Sequence, residues 1–420
     1  MKYHDAGVSV YDRLVWPEGA VERLLVSGER RRELIAYLGE GEYAELVPLA
    51  IRAAAARKDP ALSVHLVPGI MGSQLGMRRA APLPINLLWI DPTDFHSGGL
   101  TALRLPDDKI ESLGCILYTY LRLKLSLQAA GLNVRNFDYD WRRGIDELGA
   151  ALAQRLAKDP APRLAIVAHS MGGLLGRVAL TDRRLRETQR VKSLVTLGSP
   201  HRGSYAPVQA LRGTYGTVRR MAQLDPLHSP EQLAHEIFAS FPSLYDMLPD
   251  PALLDLFDPA SWPGGTPGPR HELLRDAQRR RTQLAQMDER VRAIVGVGRD
   301  TVTDIERDAD QFRYQVTRNG DGTVPAELAQ AGTDATWYAR VAHSELPRDA
   351  DIAASVVELL RDDRCSRLPT RYAPDMQTLG SITDTQLRQQ FTSKLNWPHM
   401  SADERRRFLD SLNDPLPLLR

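Results

Sequence analysis

One serine in this chain stands where a nucleophile needs to stand. In Leu164-Ala165-Ile166-Val167-Ala168-His169-Ser170-Met171-Gly172-Gly173 a short continuous apolar run, the pattern of a strand buried on both faces, gives way to small residues and then, from Leu174, to an apolar helical pattern. Ser170 falls between strand and helix. That is the setting of a nucleophile elbow, a turn tight enough to strain the serine backbone and to present its hydroxyl at the carboxyl end of the strand. Gly172 and Gly173 allow the helix to pass close to the strand, and Ala168 occupies the first small position, where glycine is usual.

A serine hydroxyl is a weak nucleophile at neutral pH, so the chain must also supply a base, a carboxylate to orient it, and donors for an oxyanion. Asp321 lies in the glycine-rich turn Asn319-Gly320-Asp321-Gly322-Thr323-Val324-Pro325, directly after the strand-like run Phe312 to Thr317. His343 follows the β-rich segment Thr336 to Val341 and precedes Pro347 and a helix pattern in which Ile352, Val356, Leu359 and Leu360 share a face. Upstream, the strand pattern Leu62 to Val67 ends in Pro68-Gly69-Ile70-Met71-Gly72-Ser73, a turn able to aim the Ile70 amide at the point served by the Met171 amide. Serine, acid and histidine come in the order in which α/β-hydrolases present their triad.

Taken singly, each piece has a plainer explanation. A Gly-Asp-Gly string is usually only a turn, and a lone histidine is usually structural. Asp300, Asp304 and Asp334 are rival carboxylates near the same turn. What selects the catalytic reading is the joint occurrence of the pieces, in order and each at an expected strand end.

The elements that must position these residues follow the βαβ alternation. A helix is expected from about Ile116 to Ala130, a strand over Asn133 to Tyr139, and an amphipathic helix carrying Ile145, Leu148, Leu152 and Leu156. Further strands are expected at Val191 to Leu197 and Val291 to Val297. The stretch between them breaks the alternation, and a loop this long within a compact fold reads as a helical cap or lid. The sequence therefore divides into a helical extension over residues 1–60, a first core part over 61–204, the cap over 205–289, a second core part over 290–362 and a helical tail over 363–420. Leu87-Leu88-Trp89-Ile90-Asp91-Pro92 reads as an exposed insertion near the oxyanion turn. Trp89 from this insertion, with Phe241, Leu244 and Tyr245 from the cap, is expected to bind the acyl part of a substrate.

Composition bounds the partners. With 54 basic against 53 acidic residues the formal net charge is +1, which gives bulk charge no pull toward nucleic acid or an anionic membrane. The 43% of hydrophobic residues among 420 suits a globular chain with a substantial core, and no apolar run reaches the length of a membrane span. Met1 to Val8 lacks the apolar centre of a signal peptide, so a cytoplasmic location is expected. Cys115 and Cys365 can form at most one bridge. Asp225, His228 and His235 lack the spacing of a metal site, so neither metal nor cofactor is expected.

Five motifs in order carry a resemblance. Val67-Pro68-Gly69-Ile70-Met71-Gly72-Ser73-Gln74-Leu75, Tyr139-Asp140-Trp141-Arg142, Ala168-His169-Ser170-Met171-Gly172-Gly173, Gly198-Ser199-Pro200-His201-Arg202-Gly203 and Gly320-Asp321-Gly322-Thr323-Val324 together resemble the lecithin:cholesterol acyltransferase-like α/β-hydrolases, which include lysosomal phospholipase and many bacterial lipases. The likeness runs from about Leu62 to Leu360. It implies an α/β-hydrolase fold, with a doubly wound, mostly parallel sheet and a helical cap, and a triad of Ser170, Asp321 and His343 with an oxyanion hole from the Ile70 and Met171 amides. The implied activity is hydrolysis of lipid-like esters, with transient contact at a lipid interface, or transfer of the acyl group to an alcohol. A non-catalytic binding protein built on the same scaffold is the alternative from another class. The chain departs from the secreted animal members in showing no signal-peptide pattern and no cysteine pairs, which counts against expecting a lipoprotein or lysosomal role or a sterol acceptor.

Overall fold

The computed structural model describes residues 14–78, 85–251, 254–284, 286–374, 377–390, 393–412 and 418. The segment Met1 to Val8, on which the expected cytoplasmic location rests, lies outside the described residues. The strands are β1 (Leu62–Val67), β2 (Ser73–Met77), β3 (Asn86–Trp89), β4 (Glu111–Cys115), β5 (Asn133–Asn136), β6 (Arg163–His169), β7 (Val191–Leu197), β8 (Val291–Gly296), β9 (Thr301–Asp308), β10 (Gln311–Thr317), β11 (Thr336–Ala339) and β12 (Gly380–Thr383).

Six of them form one sheet in the order β11-β8-β7-β6-β1-β5, and every neighbouring pair is parallel. Parallel strands need crossovers, and the crossovers bury both faces of the sheet, which is why β6 reads as a nearly unbroken apolar run and why β1 is buried throughout, even at Ser63 and His65. Helices Ile145–Lys158 and Gly172–Leu180 cover one face through Leu148, Leu152, Leu174 and Leu175. On the other face lie Leu117–Ala129 and Ala350–Asp362, through Leu123, Leu127, Ile352 and Val356. From β1 the chain moves outward to β5, then returns to the other side of β1 as β6 and continues through β7, β8 and β11. The order of strands thus reverses between β1 and β6, and the carboxyl ends of those two strands flank the crevice where open α/β sheets bind ligands.

Two of the expected strands behave differently. The run after Asn133 is a strand only to Asn136, because Tyr139 and Trp141 turn inward: the Tyr139 hydroxyl donates to the Pro68 carbonyl at 2.7 Å and the Trp141 indole to that of Ser73 at 3.0 Å. The strand ahead of Asp321, β10, lies outside the parallel sheet and pairs antiparallel with β9 and β12. The insertion expected to be exposed is buried: β3 pairs with β2, and Leu87, Leu88, Trp89 and Ile90 all lie in the core.

The N-terminal segment forms helices Ala20–Ser27, Arg31–Leu38 and Glu40–Ala55, which pack on Leu121 and Leu125 of the core. Between β7 and β8 come Ala206–Leu211, Gly216–Leu224, Pro230–Glu236, Pro242–Asp246 and His271–Arg281. This insertion is integrated with the core, since the Asp246 carboxylate accepts from the Ile145 amide at 2.9 Å and so caps the helix that leads to β6.

The tail is not wholly helical. Its strand β12 extends the β9–β10 pair, and Asp384, fully buried just beyond it, accepts from Arg212 Nε at 3.0 Å, the Tyr314 hydroxyl at 2.7 Å and the Phe312 amide at 3.2 Å. Arg212 is itself buried. Asp384→Ala therefore strands a buried cation and is expected to lower unfolding stability by about 3–5 kcal/mol, read as a shifted midpoint in urea; a loss below about 1 kcal/mol would contradict this role for the pair. No helix among the described residues is long and apolar enough to cross a membrane.

Candidate active site

The turn after β6 is as tight as the sequence requires. Ser170 has φ 53, in the left-handed region, its amide donates to the Leu197 carbonyl at 2.9 Å, and helix Gly172–Leu180 starts two residues later. A non-glycine residue held there carries strain of order 1–3 kcal/mol. A Cβ on Gly172 would stand 2.5 Å from the Pro68 carbonyl oxygen, so only glycine lets this helix start against the end of β1. Ala168, by contrast, sits within β6 opposite Thr196 and needs no glycine.

His343 follows β11, and its Nε2 lies 2.9 Å from Ser170 Oγ while its Nδ1 lies 2.7 Å from Asp321 Oδ2. A carboxylate can only accept, so Nδ1 carries the proton, and Nε2 presents a lone pair to the serine hydroxyl. Asp321 Oδ1 accepts from the amides of Thr323 at 2.9 Å and Val324 at 2.7 Å, and the Asp321 carbonyl accepts from the His343 amide at 2.9 Å. The carboxylate is thus fixed by its own turn and the histidine by the carboxylate. All three residues are buried. The rival carboxylates go elsewhere: Asp300 faces Arg318, Asp304 lies within β9, and Asp334 lies in the short turn before β11.

The turn after β1 lies beside Ser170, and a Cβ on Gly69 would stand 2.8 Å from Ser170 Cβ. Most of its polar groups are already bonded. Gly72 N–H donates to the Gly69 carbonyl at 3.0 Å, and Trp89 Nε1 to the Met71 carbonyl at 2.8 Å, with Met71 at φ 61. The amides of Ile70 and Met171 have no acceptor among the described residues.

A cavity of about 240 Å³ opens over Ser170 and His343, lined by Ile70 of this turn and by Ala210, Val218, Leu244 and Met247 of the insertion. Of the four residues expected to contact an acyl group, only Leu244 reaches it. Trp89, Phe241 and Tyr245 are core residues instead. Trp89 packs against Trp141 with ring centroids 5.4 Å apart, Trp141 against Phe241 at 5.7 Å, and the Tyr245 hydroxyl donates to the Ala239 carbonyl at 2.8 Å. Apolar type alone did not separate a pocket wall from the packing behind it. Sequence reading also missed Tyr215 and Thr217, polar residues on the cavity wall that no motif marks.

Asp225 Oδ2 lies 2.7 Å from His228 Nδ1, and no cluster of three or more metal-ligating side chains occurs among the described residues. Cys115 and Cys365 are both free, Cys115 being buried.

Comparison with known proteins agrees with this architecture in part of the chain. Residues 149–237, from the helix before β6 into the insertion, match the family model described as a PGAP1-like alpha/beta domain. No curated protein matches the sequence. Among solved structures, a chain of the Tle4-Tli4 complex is similar at 15% identity and TM-score 0.44, over 72% of this chain and 99% of that one. The mature lipase BlEst2 of Bacillus licheniformis is similar at 14% identity and TM-score 0.38, over 72% and 94%. The metagenomic carboxyl esterase MGS0156 is similar at 16% identity and TM-score 0.36, over 73% and 78%. With its parallel sheet, its helices on both faces and a strained serine turn after β6, this chain has the α/β-hydrolase fold.

Proposed function

We propose that this chain hydrolyses carboxylic esters with an extended acyl group through an acyl-enzyme on Ser170. The observation that carries the reading is His343, held between Ser170 Oγ at 2.9 Å and the buried Asp321 at 2.7 Å, on the floor of a largely apolar cavity. His343 Nε2 takes the hydroxyl proton as Oγ attacks the ester carbonyl. Asp321 keeps the imidazole in the right tautomer and stabilises the imidazolium. The amides of Ile70 and Met171 then hold the tetrahedral oxyanion, which collapses as His343 returns the proton to the leaving alcohol. Water, activated by the same histidine, attacks the acyl-enzyme and frees the acid and Ser170.

The insertion supplies much of the cavity wall, so substrate choice should respond to its residues without disturbing the proton transfers. Ala210 lies on that wall and is buried. Ala210→Phe is expected to lower kcat/KM for long acyl esters by roughly tenfold or more, with a smaller loss for an acetyl ester, because pocket contacts discriminate by about 1–3 kcal/mol per group. Equal losses on both would remove the assignment of this cavity to the acyl chain. The reading itself is tested by assaying esters of graded acyl length with and without added alcohol. Hydrolysis rising with chain length is the expected result; product going mainly to the alcohol would reassign the chain as an acyltransferase, and no turnover of any ester would leave a binding role on a hydrolase scaffold.

A further inference from the structure

Two buried side chains outside the triad connect three of its supporting segments. His169 precedes the nucleophile, and its Nε2 lies 3.0 Å from the backbone carbonyl oxygen of His343. A carbonyl only accepts, so Nε2 carries the proton and Nδ1, in the neutral ring, is bare. Nδ1 lies 2.9 Å from the Tyr120 hydroxyl, which must therefore donate to it. The phenol oxygen in turn accepts from the Gly69 amide at 2.8 Å. Every proton in this chain of bonds is thus assigned by one carbonyl, and the bonds run in a single direction from the oxyanion turn, beneath Ser170, to the loop of the base.

His169 and Tyr120 are both buried, and their surroundings hold them neutral: burial, then the neighbouring His343, pushes the His169 imidazole well below its usual value, and burial pushes the Tyr120 phenol up. In such surroundings aligned hydrogen bonds reinforce one another, and a lost partner is costly to replace. The Gly69 amide and the His343 carbonyl are the peptide groups on which the two moving parts of the reaction depend. Fixing the first holds one side of Gly69, whose carbonyl on the other side accepts from the Gly72 amide at 3.0 Å, so the peptide that carries the Ile70 amide is anchored by its own carbonyl and by the amide before it. Fixing the second, with the His343 amide already donating to Asp321, leaves the imidazole little freedom between serine and acid.

We propose that Tyr120 and His169 are positioning residues that hold the oxyanion turn and the His343 loop in register with Ser170, a role that rests on Ser170 being the nucleophile. A role in packing alone would be served equally by phenylalanine at 120. The test is therefore Tyr120→Phe, with His169→Gln and His169→Asn as partial replacements. The Gln amide nitrogen can take the place of Nε2 and keep the bond to the His343 carbonyl; the Asn oxygen can take the place of Nδ1 and keep the bond from Tyr120.

Each variant is assayed on a short ester for kcat and KM, and for inhibition by a trifluoromethyl ketone, which forms the tetrahedral oxyanion on the serine. Loss of an oxyanion donor outright costs about 10²–10³ in kcat, so loosening the turn is expected to cost roughly tenfold or more. In Tyr120→Phe, kcat should fall by that factor with KM within about twofold, the inhibitor constant should rise by a similar factor, and the melting temperature should show a folded protein. His169→Gln and His169→Asn should each keep more activity than His169→Ala. Wild-type kcat and inhibitor constant in Tyr120→Phe would overturn the positioning role while leaving the ester hydrolase reading standing. An inactive wild-type protein that does not bind the ketone would remove that reading and this proposal together. Nitrogen-15 NMR of the wild-type histidines reads the network without substrate: a neutral Nε2–H ring for His169 is expected, and an Nδ1–H ring would contradict the bond order on which the proposal stands.

Discussion

Ser170→Ala is expected to leave a folded protein whose ester turnover is lower by on the order of 10⁶ in kcat, the loss that follows removal of the nucleophile from a serine hydrolase. The substitution deletes one oxygen whose bond is to His343, and it keeps the Cβ that packs beside Gly69. The strained φ of 53 is as accessible to alanine as to serine, so the change in stability should be small against the change in rate. What turnover remains would come from the oxyanion donors and binding alone. Paired measurements of kcat and of the thermal melt check this, and a folded variant with parental turnover would end the acyl-enzyme account.

The second large effect is expected at Asp321. Its Oδ1 is committed to the Thr323 and Val324 amides, so an asparagine in its place keeps its carbonyl oxygen there and turns its amide nitrogen toward His343 Nδ1. Two donors then face each other. The ring escapes by taking the other tautomer, which places its proton toward Ser170 and removes the base. The shape is kept and the chemistry is not, and kcat should fall by about 10⁴. Asp304→Asn and Asp334→Asn serve as controls and should stay within a fewfold of the parent, since neither contacts His343. Collapse of activity in Asp334→Asn with a mild effect in Asp321→Asn would show that another carboxylate orients the base.

The meeting of Ser170, Asp321 and His343 was legible because each stands at the end of a patterned segment. Strand β6 carries the continuous apolar run of a buried strand, β11 lies in a β-rich segment, and the glycines around Ser170 and Asp321 mark turns where backbone must approach backbone. The crossover helix Ile145–Lys158 was legible for the same reason, its apolar residues recurring at helical spacing. What stayed hidden depends on contacts between residues distant in sequence. β10 reads as a strand, but nothing local says that its partners are β9 and, from far downstream, β12. Trp89, Phe241 and Tyr245 have the composition of a pocket wall, and their burial behind it is decided by β3 pairing with β2, by the edge-to-face contacts of Trp89 and Phe241 with Trp141, and by the Tyr245 hydroxyl bonding to the Ala239 carbonyl. Tyr120 lies on a helix whose apolar residues face two clusters, and nothing in its neighbourhood marks its hydroxyl for the Gly69 amide.

The central claim is that Ser170 is a nucleophile activated by His343. Incubation of the intact protein with a fluorophosphonate, followed by mass spectrometry of the whole chain and of its peptides, tests it without knowledge of the natural ester. One phosphonyl adduct per chain is expected, located at Ser170, formed with loss of fluoride, absent in Ser170→Ala and strongly slowed in His343→Ala. No adduct on a folded wild-type protein, or an adduct at another residue that persists in Ser170→Ala, would contradict the account.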